Sequence, residues 1–201
     1  MIEVCREGDL VLLVLDRPDK ANALTAEMLS ALVEAVRAAD GAKALILTGR
    51  GKVFSAGADL EAAKAGLATS PLWEELSGAI AGFGGLSIAA LNGTLAGGAF
   101  GMALACDLRV AVPGAKFFYP VMKLGFLPQP SDPARLVRLV GPARARLILM
   151  AGQKVLADEA LAMGLIDRIA DDPLAEARAL AGDALGAAPA HIAGIDRLCR
   201  L

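Results

Sequence analysis

The sequence predicts an α/β fold in which helices cover a mainly parallel sheet. Short runs that are apolar at every position alternate with helical stretches through the first half of the chain. Such runs are typical of strands that are buried on both faces. Helical stretches dominate after Pro113 and Gly114, and this change indicates a helical part that follows the sheet.

The predicted strands are short and lie mostly in the first part of the chain. Each is an apolar run of strand length, and helical segments separate one run from the next, as in a parallel sheet. The runs are 10–15, 43–48, 87–91 and 108–112, with one more short run at 166–169.

The first predicted helix, 25–39, has the clearest boundary signals. Thr25 fits the N-cap position, apolar residues recur at three- and four-residue spacing, and Asp40 with Gly41 marks the end. Glycine and proline residues separate the later helices from one another. The further predicted helices are 72–83, 98–105, 133–139, 143–151, 158–163 and 173–185.

The hydropathy of the chain raises the question of a membrane span. The 201 residues have a mean hydropathy of +0.54, and no charged residue occurs from 76 to 106, which is long enough to cross a bilayer. A turn signal, Asn92-Gly93, lies in the middle of this stretch, and each glycine destabilises a helix by about 1 kcal/mol relative to alanine. A strand, a glycine-rich loop and a buried helix explain the stretch better than a membrane span, which is the weaker alternative.

Charge and cysteine content argue against several classes of protein. The net charge of −2, with 21 % charged residues, is untypical of a disordered polyelectrolyte or a basic nucleic-acid binder. Three widely spaced cysteines without a C-x-x-C motif, and the single histidine His191, argue against a disulfide framework and a metal site. The few, widely spaced cysteines are typical of a protein from the reducing cytosol, and the acidic start of the chain does not resemble a signal peptide. Together these features predict a cytoplasmic protein.

Two glycine-rich segments follow predicted strands and are the candidates for chemistry. They are 54–60 (FSAGADL) and 92–99 (NGTLAGGA). Small residues ahead of a helix leave backbone N–H groups free to bind an anion. For either segment alone, close packing of the backbone is the better explanation. Neither segment contains a Walker A motif or completes a G-x-G-x-x-G motif, so nucleotide binding is poorly supported.

Taken together, the segments resemble the crotonase superfamily, the enoyl-CoA hydratase/isomerase group. The resemblance covers nearly the whole chain and implies a crotonase-like spiral of ββα units with a parallel-rich sheet, in a core at 1–140, followed by a shorter helical segment at 141–201. It implies an acyl-CoA substrate, with coenzyme A as part of that substrate and no permanently bound cofactor or metal. The motifs, in order, are 17–25 (RPDKANALT), 54–60, 91–98, 105–109 (ACDLR), 124–128 (LGFLP) and 162–167 (AMGLID).

By motif position, the resemblance implies an oxyanion hole made by the backbone N–H groups of Ala58 and Gly98. Such donors stabilise a thioester enolate, and the loss of one typically costs about 2.7–4 kcal/mol in the transition state. Asp59 fits a helix cap better than a catalytic role, and Lys20 is equally well explained as a solvated lysine. The substrate-binding residues implied by the motifs are Lys20, Ala21, Ala23, Ala56, Gly57, Asp59, Leu60, Gly97, Gly101 and Val121.

The acid–base side chains of the family are missing at their motif positions. Family hydratases carry two glutamates where this chain has Gly101 and Val121, and related isomerases carry an aspartate where it has Gln129. Glycine and valine cannot transfer a proton, which argues against ordinary enoyl-CoA hydration. Isomerisation, decarboxylation of a malonyl-type thioester and hydrolysis are open alternatives. A further alternative is a non-catalytic homologue that binds acyl-CoA or takes part in an oligomer.

The polar residues nearest in sequence to these positions are Tyr119, Gln129 and Asp132, and they are the side-chain candidates for catalysis. Tyr119 could orient or protonate a substrate, but a buried aromatic residue with a satisfied hydroxyl group is the commoner case. Asp132 also fits the start of a helix, with Ser131 as the competing cap.

The resemblance also implies an assembly and a metabolic role. Family members form homotrimers or hexamers and act in fatty acid metabolism. They continue with further helices beyond the point where this chain ends, at Cys199-Arg200-Leu201, so trimeric packing is a weakened expectation. Neither a membrane nor a nucleic acid is predicted as a partner.

Overall fold

The larger of two sheets forms the centre of the molecule. The computed structural model describes residues 1–199. Five of the strands of this sheet run parallel, and the first is antiparallel to its neighbour. The strands are β1 (Ile2–Glu7), β2 (Leu10–Leu15), β3 (Ala44–Gly49), β5 (Leu86–Leu91), β7 (Leu108–Ala111) and β10 (Arg168–Ile169), adjacent in that order.

Both faces of this sheet are buried, which explains the continuously apolar strands. All six residues of β2 are buried. On one face, Leu12 pairs with Ile46 and Ile46 with Ile88, so their side chains form a row across three strands. Their neighbours Leu13 and Leu47 lie on the opposite face, in a second cluster of buried side chains. The sheet therefore separates two cores, and the predicted parallel α/β fold is confirmed.

A smaller sheet of short strands lies beside the first. Its strands are β4 (Val53–Ser55), β6 (Thr94–Ala96), β8 (Lys116–Phe118) and β9 (Val155–Leu156), adjacent in that order. The first three are parallel, and each follows a long strand of the larger sheet. Helices come next: α2 (Leu60–Lys64) and α3 (Leu72–Ala81) after β4, α4 (Phe100–Ala105) after β6, and α5 (Val121–Leu124) after β8. The chain therefore winds as a spiral of ββα units.

The remaining helices cover the sheets. They are α1 (Ala26–Ala38), α6 (Asp132–Leu149), α7 (Ala157–Met163), α8 (Pro173–Leu180), α9 (Gly182–Gly186) and α10 (Pro189–Cys199). Thr25 caps α1 as predicted, since its Oγ1 accepts the Met28 N–H at 3.3 Å. Gly141, at φ 77°, kinks α6 where the sequence predicts a break between two helices.

Several predicted boundaries are wrong. The helix predicted at 98–105 begins with a 3₁₀ turn, Gly97–Ala99, and only Phe100–Ala105 is α-helical. The strand predicted at 166–169 is reduced to β10, and the helix predicted at 173–185 divides into α8 and α9. The sequence also missed β1, β4, β6, β8 and β9. β4, β6 and β8 have three residues each and β9 has two, which is too short to show a periodicity. β1 has six residues, but three of them are charged, so it lacks the continuously apolar pattern of the other strands.

The later part of the chain is joined to the core by both sheets. β9 pairs antiparallel with β8, and β10 pairs parallel with β7. A boundary after residue 140 stays a prediction, and residues 141–199 contribute strands as well as helices. The uncharged stretch forms the end of α3, then β5, β6 and α4. Within residues 1–199, no helix is long and apolar enough to cross a membrane.

Candidate active site

Asn22 fixes the conformation of the first family motif. It is fully buried, and its φ of 52° is left-handed, a conformation that asparagine tolerates better than most residues. Its Oδ1 accepts the Arg17 N–H at 2.9 Å, and its Nδ2 donates to the carbonyl oxygens of Arg50 and Val53 at 2.9 and 2.8 Å. The motif is thereby attached to the start of β4. Asn22 is visible in the sequence as part of the motif, but no sequence signal indicates this structural role.

The direction of the Ala58 amide follows from a single parallel bridge to Leu24. Leu24 donates to the Gly57 carbonyl, and Asp59 donates to the Leu24 carbonyl, both at 2.8 Å. In parallel pairing, a residue bonds to both neighbours of its partner, so the partner's own N–H points the other way. Within residues 1–199, the Ala58 N–H accordingly has no protein acceptor.

The second glycine segment supplies another candidate amide, that of Gly98. Gly97 is left-handed, at φ 58°, and is the first residue of the 3₁₀ turn. The first N–H groups of such a turn, here including that of Gly98, have no partner within the turn. The two segments touch through their backbones: a Cβ at Gly57 would lie 2.9 Å from the Ala96 carbonyl oxygen. Only glycine permits this approach, which holds the two segments together beside one cavity that Ala58 and Gly98 both line.

This cavity has a volume of about 320 Å³. Ala58 and Gly98 line it, and the Trp73 ring packs beneath Gly98, so close that a Cβ at position 98 would lie 3.2 Å from the ring. Much of the remaining lining is apolar and comes from α5 and the loop that follows it. These apolar residues are Val121, Leu124, Phe126 and Leu127. The site thus combines two polar amides with a hydrophobic surface.

A larger cavity of about 720 Å³ lies between α9, α10 and the start of β5. His191 and Asp107 line it, and none of the predicted site residues does. The smaller cavity is the candidate site, because both residues predicted to supply oxyanion donors line it.

Tyr119 lines the candidate cavity and is also buried, with 4 % of its surface exposed. Its ring stacks on Phe100 with centroids 5.4 Å apart. Its hydroxyl group donates to Asp132 Oδ2 at 3.0 Å and accepts the Gln129 backbone N–H at 3.4 Å. Tyr119 is therefore a buried aromatic residue with a satisfied hydroxyl group, one of the two cases that the sequence allows. It lines the cavity together with Gln129.

Asp132 is the first residue of α6 and is 1 % exposed. It is an acid of the first helical turn, and no side-chain cap is formed: Ser131, at the cap position, donates instead to Glu74 Oε1 at 3.0 Å. Asp132 Oδ1 is buried without any hydrogen-bond partner in the described part of the chain. Burial, above all, raises the pKa of this carboxyl to about 7, against the lowering effects of the Tyr119 hydrogen bond and the Arg135 charge.

The two positions where family hydratases carry glutamate have different surroundings. Gly101 is buried in α4, and a Cβ there would lie 2.9 Å from Asp132 Oδ1. It therefore packs against the Asp132 carboxyl and is not among the residues that line the cavity. Val121 lines the cavity and gives it an apolar wall.

Asp59 has a structural role. It caps α2, since its Oδ1 accepts the N–H groups of Glu61 and Ala62, and its Oδ2 pairs with Arg17 at 2.8 Å. Arg17, above all, holds the pKa of Asp59 below its usual range. Asp59 does not line the cavity, but its neighbour Leu60 does and is largely exposed there.

The remaining predicted residues lie on or beside the first glycine segment. Ala56 lines the cavity. Ala21, at φ 50°, accepts the Ala56 N–H at 3.0 Å, which joins the predicted coenzyme A segment to the glycine segment. Lys20 is exposed, and Ala23 accepts a hydrogen bond from Arg17 at 3.0 Å.

Two further family motifs meet away from the cavity. Arg109, 3 % exposed, donates to the carbonyl oxygens of Cys106 and Leu165 at 2.7 and 2.9 Å and pairs with Asp167 at 3.0 Å. These contacts connect β7 to the segment before β10, so both motifs stabilise the fold. Among residues 1–199, no group of three or more His, Cys, Asp or Glu side chains could hold a metal ion.

Comparisons with known proteins identify relatives over nearly the whole chain. The family model described as enoyl-CoA hydratase/isomerase matches residues 6–197. A probable enoyl-CoA hydratase of Mycobacterium leprae is 35 % identical over 198 residues, covering 96 % of this chain and 79 % of the relative. A carnitinyl-CoA dehydratase of Salmonella enteritidis is 37 % identical over 214 aligned positions, covering 99 % of this chain and 80 % of the relative.

Solved structures show the same fold. The structure of DspI from Pseudomonas aeruginosa superposes with a TM-score of 0.90 at 32 % identity, covering 99 % of this chain and 86 % of DspI. An enoyl-CoA hydratase subunit from Geobacillus kaustophilus gives a TM-score of 0.87 at 33 % identity, covering 98 % of this chain and 79 % of the subunit. The chain therefore belongs to the enoyl-CoA hydratase/isomerase family.

Proposed function

We propose that the protein binds an acyl-CoA thioester and stabilises the enolate of that thioester. One observation carries this proposal: the Ala58 and Gly98 amides, which have no protein acceptor within residues 1–199, both belong to the wall of one cavity. Both residues are partly buried and line the cavity, so their N–H groups are available to a ligand that enters it. A thioester oxygen between the two amides would satisfy both, and more strongly once it carries the negative charge of an enolate.

The acyl and coenzyme A portions have separate places in this proposal. The apolar wall formed by Val121, Leu124 and Phe126 faces the acyl group. The coenzyme A portion lies along the segment that contains Lys20, Ala21 and Ala23. The exposed ammonium group of Lys20 suits a phosphate of coenzyme A.

The proposed chemistry is an enolate reaction other than hydration by two glutamates. Gly101 and Val121 offer no carboxylate, so isomerisation, decarboxylation or hydrolysis of an acyl-CoA fits the site better. The apolar Val121 also supports a second candidate, a homologue that holds acyl-CoA without turnover. A cytoplasmic protein active in fatty acid metabolism and a homotrimeric or hexameric assembly belong to the same proposal.

The enolate itself can be measured with acetoacetyl-CoA, a β-ketoacyl thioester whose enolate absorbs in the near ultraviolet. The protein should raise the enolate fraction of the bound ligand. Gly98→Pro removes the amide proton and should weaken this effect by about 100-fold or more. Gly98→Ala is the matched control, because it places the same Cβ against Trp73, at 3.2 Å, and keeps the N–H. Equal enolate stabilisation by the two variants would contradict the proposed role of Gly98.

Turnover is tested separately with a panel of acyl-CoA thioesters followed by mass spectrometry. A mass change in one thioester would identify the reaction. Calorimetric binding without any mass change supports the second candidate. If no thioester of coenzyme A binds, both candidates are excluded.

A further inference from the structure

We propose that Tyr119 and Asp132 form the proton-transfer pair of this site, with the Asp132 carboxyl group taking the place of the missing glutamates from a different helix. The inference rests on the proposed function, since it supplies the proton acceptor that formation of an enolate requires. It concerns a pair of side chains that the oxyanion hole does not involve.

The Asp132 carboxyl group lies directly beside Gly101 of α4. A Cβ built at Gly101 would lie 2.9 Å from Asp132 Oδ1 and 3.4 Å from Oδ2. The carboxyl group therefore stands where a side chain at position 101 would begin. Asp132 on α6 therefore places its carboxyl group in the space beside Gly101 on α4. Any larger residue at position 101 would collide with it.

Asp132 also has one carboxyl oxygen that is buried and unpaired among residues 1–199. Asp132 is 1 % exposed, and its Oδ1 has no partner within the described residues. A buried carboxyl group with a free oxygen destabilises a fold, so packing alone gives no reason for it. Groups of this kind cluster at functional sites, where a proton acceptor needs a raised affinity for its proton.

Tyr119 links the Asp132 carboxyl group to the cavity. Asp132 does not line the cavity, whereas Tyr119 does, and the Tyr119 hydroxyl group donates to Asp132 Oδ2 at 3.0 Å. The Gln129 N–H bonds to the same hydroxyl oxygen and helps to orient it. A proton that moves between substrate and Asp132 therefore passes through the phenol.

The proton balance of the step is simple. The C–H bond at the α-carbon of the thioester breaks, and its proton bonds to the Tyr119 oxygen. At the same time the original hydroxyl proton of Tyr119 moves to Asp132 Oδ2. The electron pair of the C–H bond stays on the substrate as an enolate held by the two amides. Tyr119 ends neutral and Asp132 ends protonated, and the reverse sequence returns a proton to the substrate.

The charged groups around Asp132 give this step a defined pH dependence. Glu74 on α3 raises the carboxyl pKa, while Arg135 on α6 and the Tyr119 hydrogen bond lower it, and α4 carries no titratable side chain. Burial outweighs the lowering effects and raises the pKa of Asp132 to about 7. Proton abstraction requires the ionised carboxyl group, so it should increase with pH around this value.

The experiment measures exchange of the α-protons of butyryl-CoA in D₂O by mass spectrometry. The intact protein should catalyse the exchange, with a rate that rises with pH and levels off above about 7. Tyr119→Phe keeps the ring against Phe100 and should lower the rate by about 100-fold or more. Asp132→Asn should lower it similarly and remove the pH dependence. Lys123→Gln, at an exposed residue of α5, is the control and should leave the rate unchanged.

A second pair of variants moves the carboxyl group back to α4. Asp132→Gly removes the acceptor and opens space beside position 101. Adding Gly101→Glu to that variant supplies a carboxyl group from α4, and it should recover part of the lost exchange. Gly101→Glu alone places its Cβ against Asp132 Oδ1, so it should destabilise the fold.

The acetoacetyl-CoA measurement separates this inference from the proposed function and reports on folding. If the protein fails to bind acetoacetyl-CoA, the proposed function is wrong. If Tyr119→Phe binds it with a normal enolate fraction and exchanges α-protons at the original rate, the inference is overturned while the proposed function stands. Absence of exchange by the intact protein, despite enolate stabilisation, overturns it as well.

Discussion

Asp132 makes the stability of the protein depend on pH in an unusual direction. Its carboxyl pKa is raised from 3.8 to about 7, chiefly by burial. Between these values the folded chain holds a proton that the unfolded chain releases. Folding is therefore more favourable at the acidic end of this window, and the contribution is lost as pH rises towards 7. Most carboxylates in proteins act in the opposite direction.

We expect Asp132→Asn to weaken this pH dependence. Urea unfolding of the unsubstituted protein should show a loss of a few kcal/mol between pH 5 and pH 8, of the order that a shift of this size gives. The variant should lose much less over the same interval. Asp59→Asn is the control, since the pKa of Asp59 is lowered by Arg17 and lies outside the interval. Parallel pH profiles for Asp132→Asn and the unsubstituted protein would refute the assignment.

The sequence reveals some single-residue roles and hides others. The family motifs were enough to nominate Ala58 and Gly98, and both residues line one cavity. The sequence could not show that Asp132 faces Gly101, because that contact depends on how α6 packs against α4. Asn22 was visible in its motif, but its buried hydrogen bonds reach residues distant in the chain.

At the scale of elements, the contact between the two glycine segments sets the geometry of the site. Gly57 is left-handed, at φ 92°, and a Cβ built on it would point at the Ala96 carbonyl oxygen. The two segments extend from β4 and β6, which pair in parallel. Separation of these segments would move the two amides apart.

Gly57→Ala should therefore impair both stability and ligand binding. Gly66→Ala is a matched control, because Gly66 has a similar φ of 102° but no atom within 4 Å of a built Cβ. The control should lose about 1–2 kcal/mol from its left-handed conformation. Gly57→Ala should lose more, since its Cβ would lie 2.9 Å from the Ala96 oxygen. Unfolding free energies and acetoacetyl-CoA enolate absorbance measure the two effects, and equal losses in both variants would argue against the contact.

Long elements were easier to predict than short ones. The strand at 10–15 and the helix capped by Thr25 were found because their patterns extend over a full element. β4, β6 and β8 are three residues each and are specified by neighbours far along the chain. The ββα repeat came from the resemblance to the family, and the apolar pattern alone would not have revealed it.

At the scale of the whole molecule, the attachment of the chain to its core weakens towards α10. β9 and β10 join the sheets, and Arg109 connects β7 to Asp167. α8 buries Ala177 against the larger sheet, whereas α10 has no buried residue. Local opening is easiest where few apolar groups are buried.

Amide hydrogen exchange should show this gradient. We expect the backbone amides of α10 to exchange fastest among the helices of eight or more residues, and those of α8 to be better protected. Mass spectrometry of peptides covering the two helices provides the measurement, with α1, which buries five side chains, as the protected reference. Equal protection of α10 and α1 would mean that another surface covers α10 in solution.

The single bridge between Leu24 and Ala58 has a consequence for how such a protein can diverge. The bridge orients the Ala58 amide through main-chain hydrogen bonds alone. Any residue except proline supplies the same donor, so the proposed oxyanion hole tolerates changes of side chain at this position. Acid–base groups can then be lost, moved or replaced by single codon changes while the capacity to hold a thioester persists. During evolution, such a scaffold can change the reaction it catalyses while every intermediate sequence still binds a thioester.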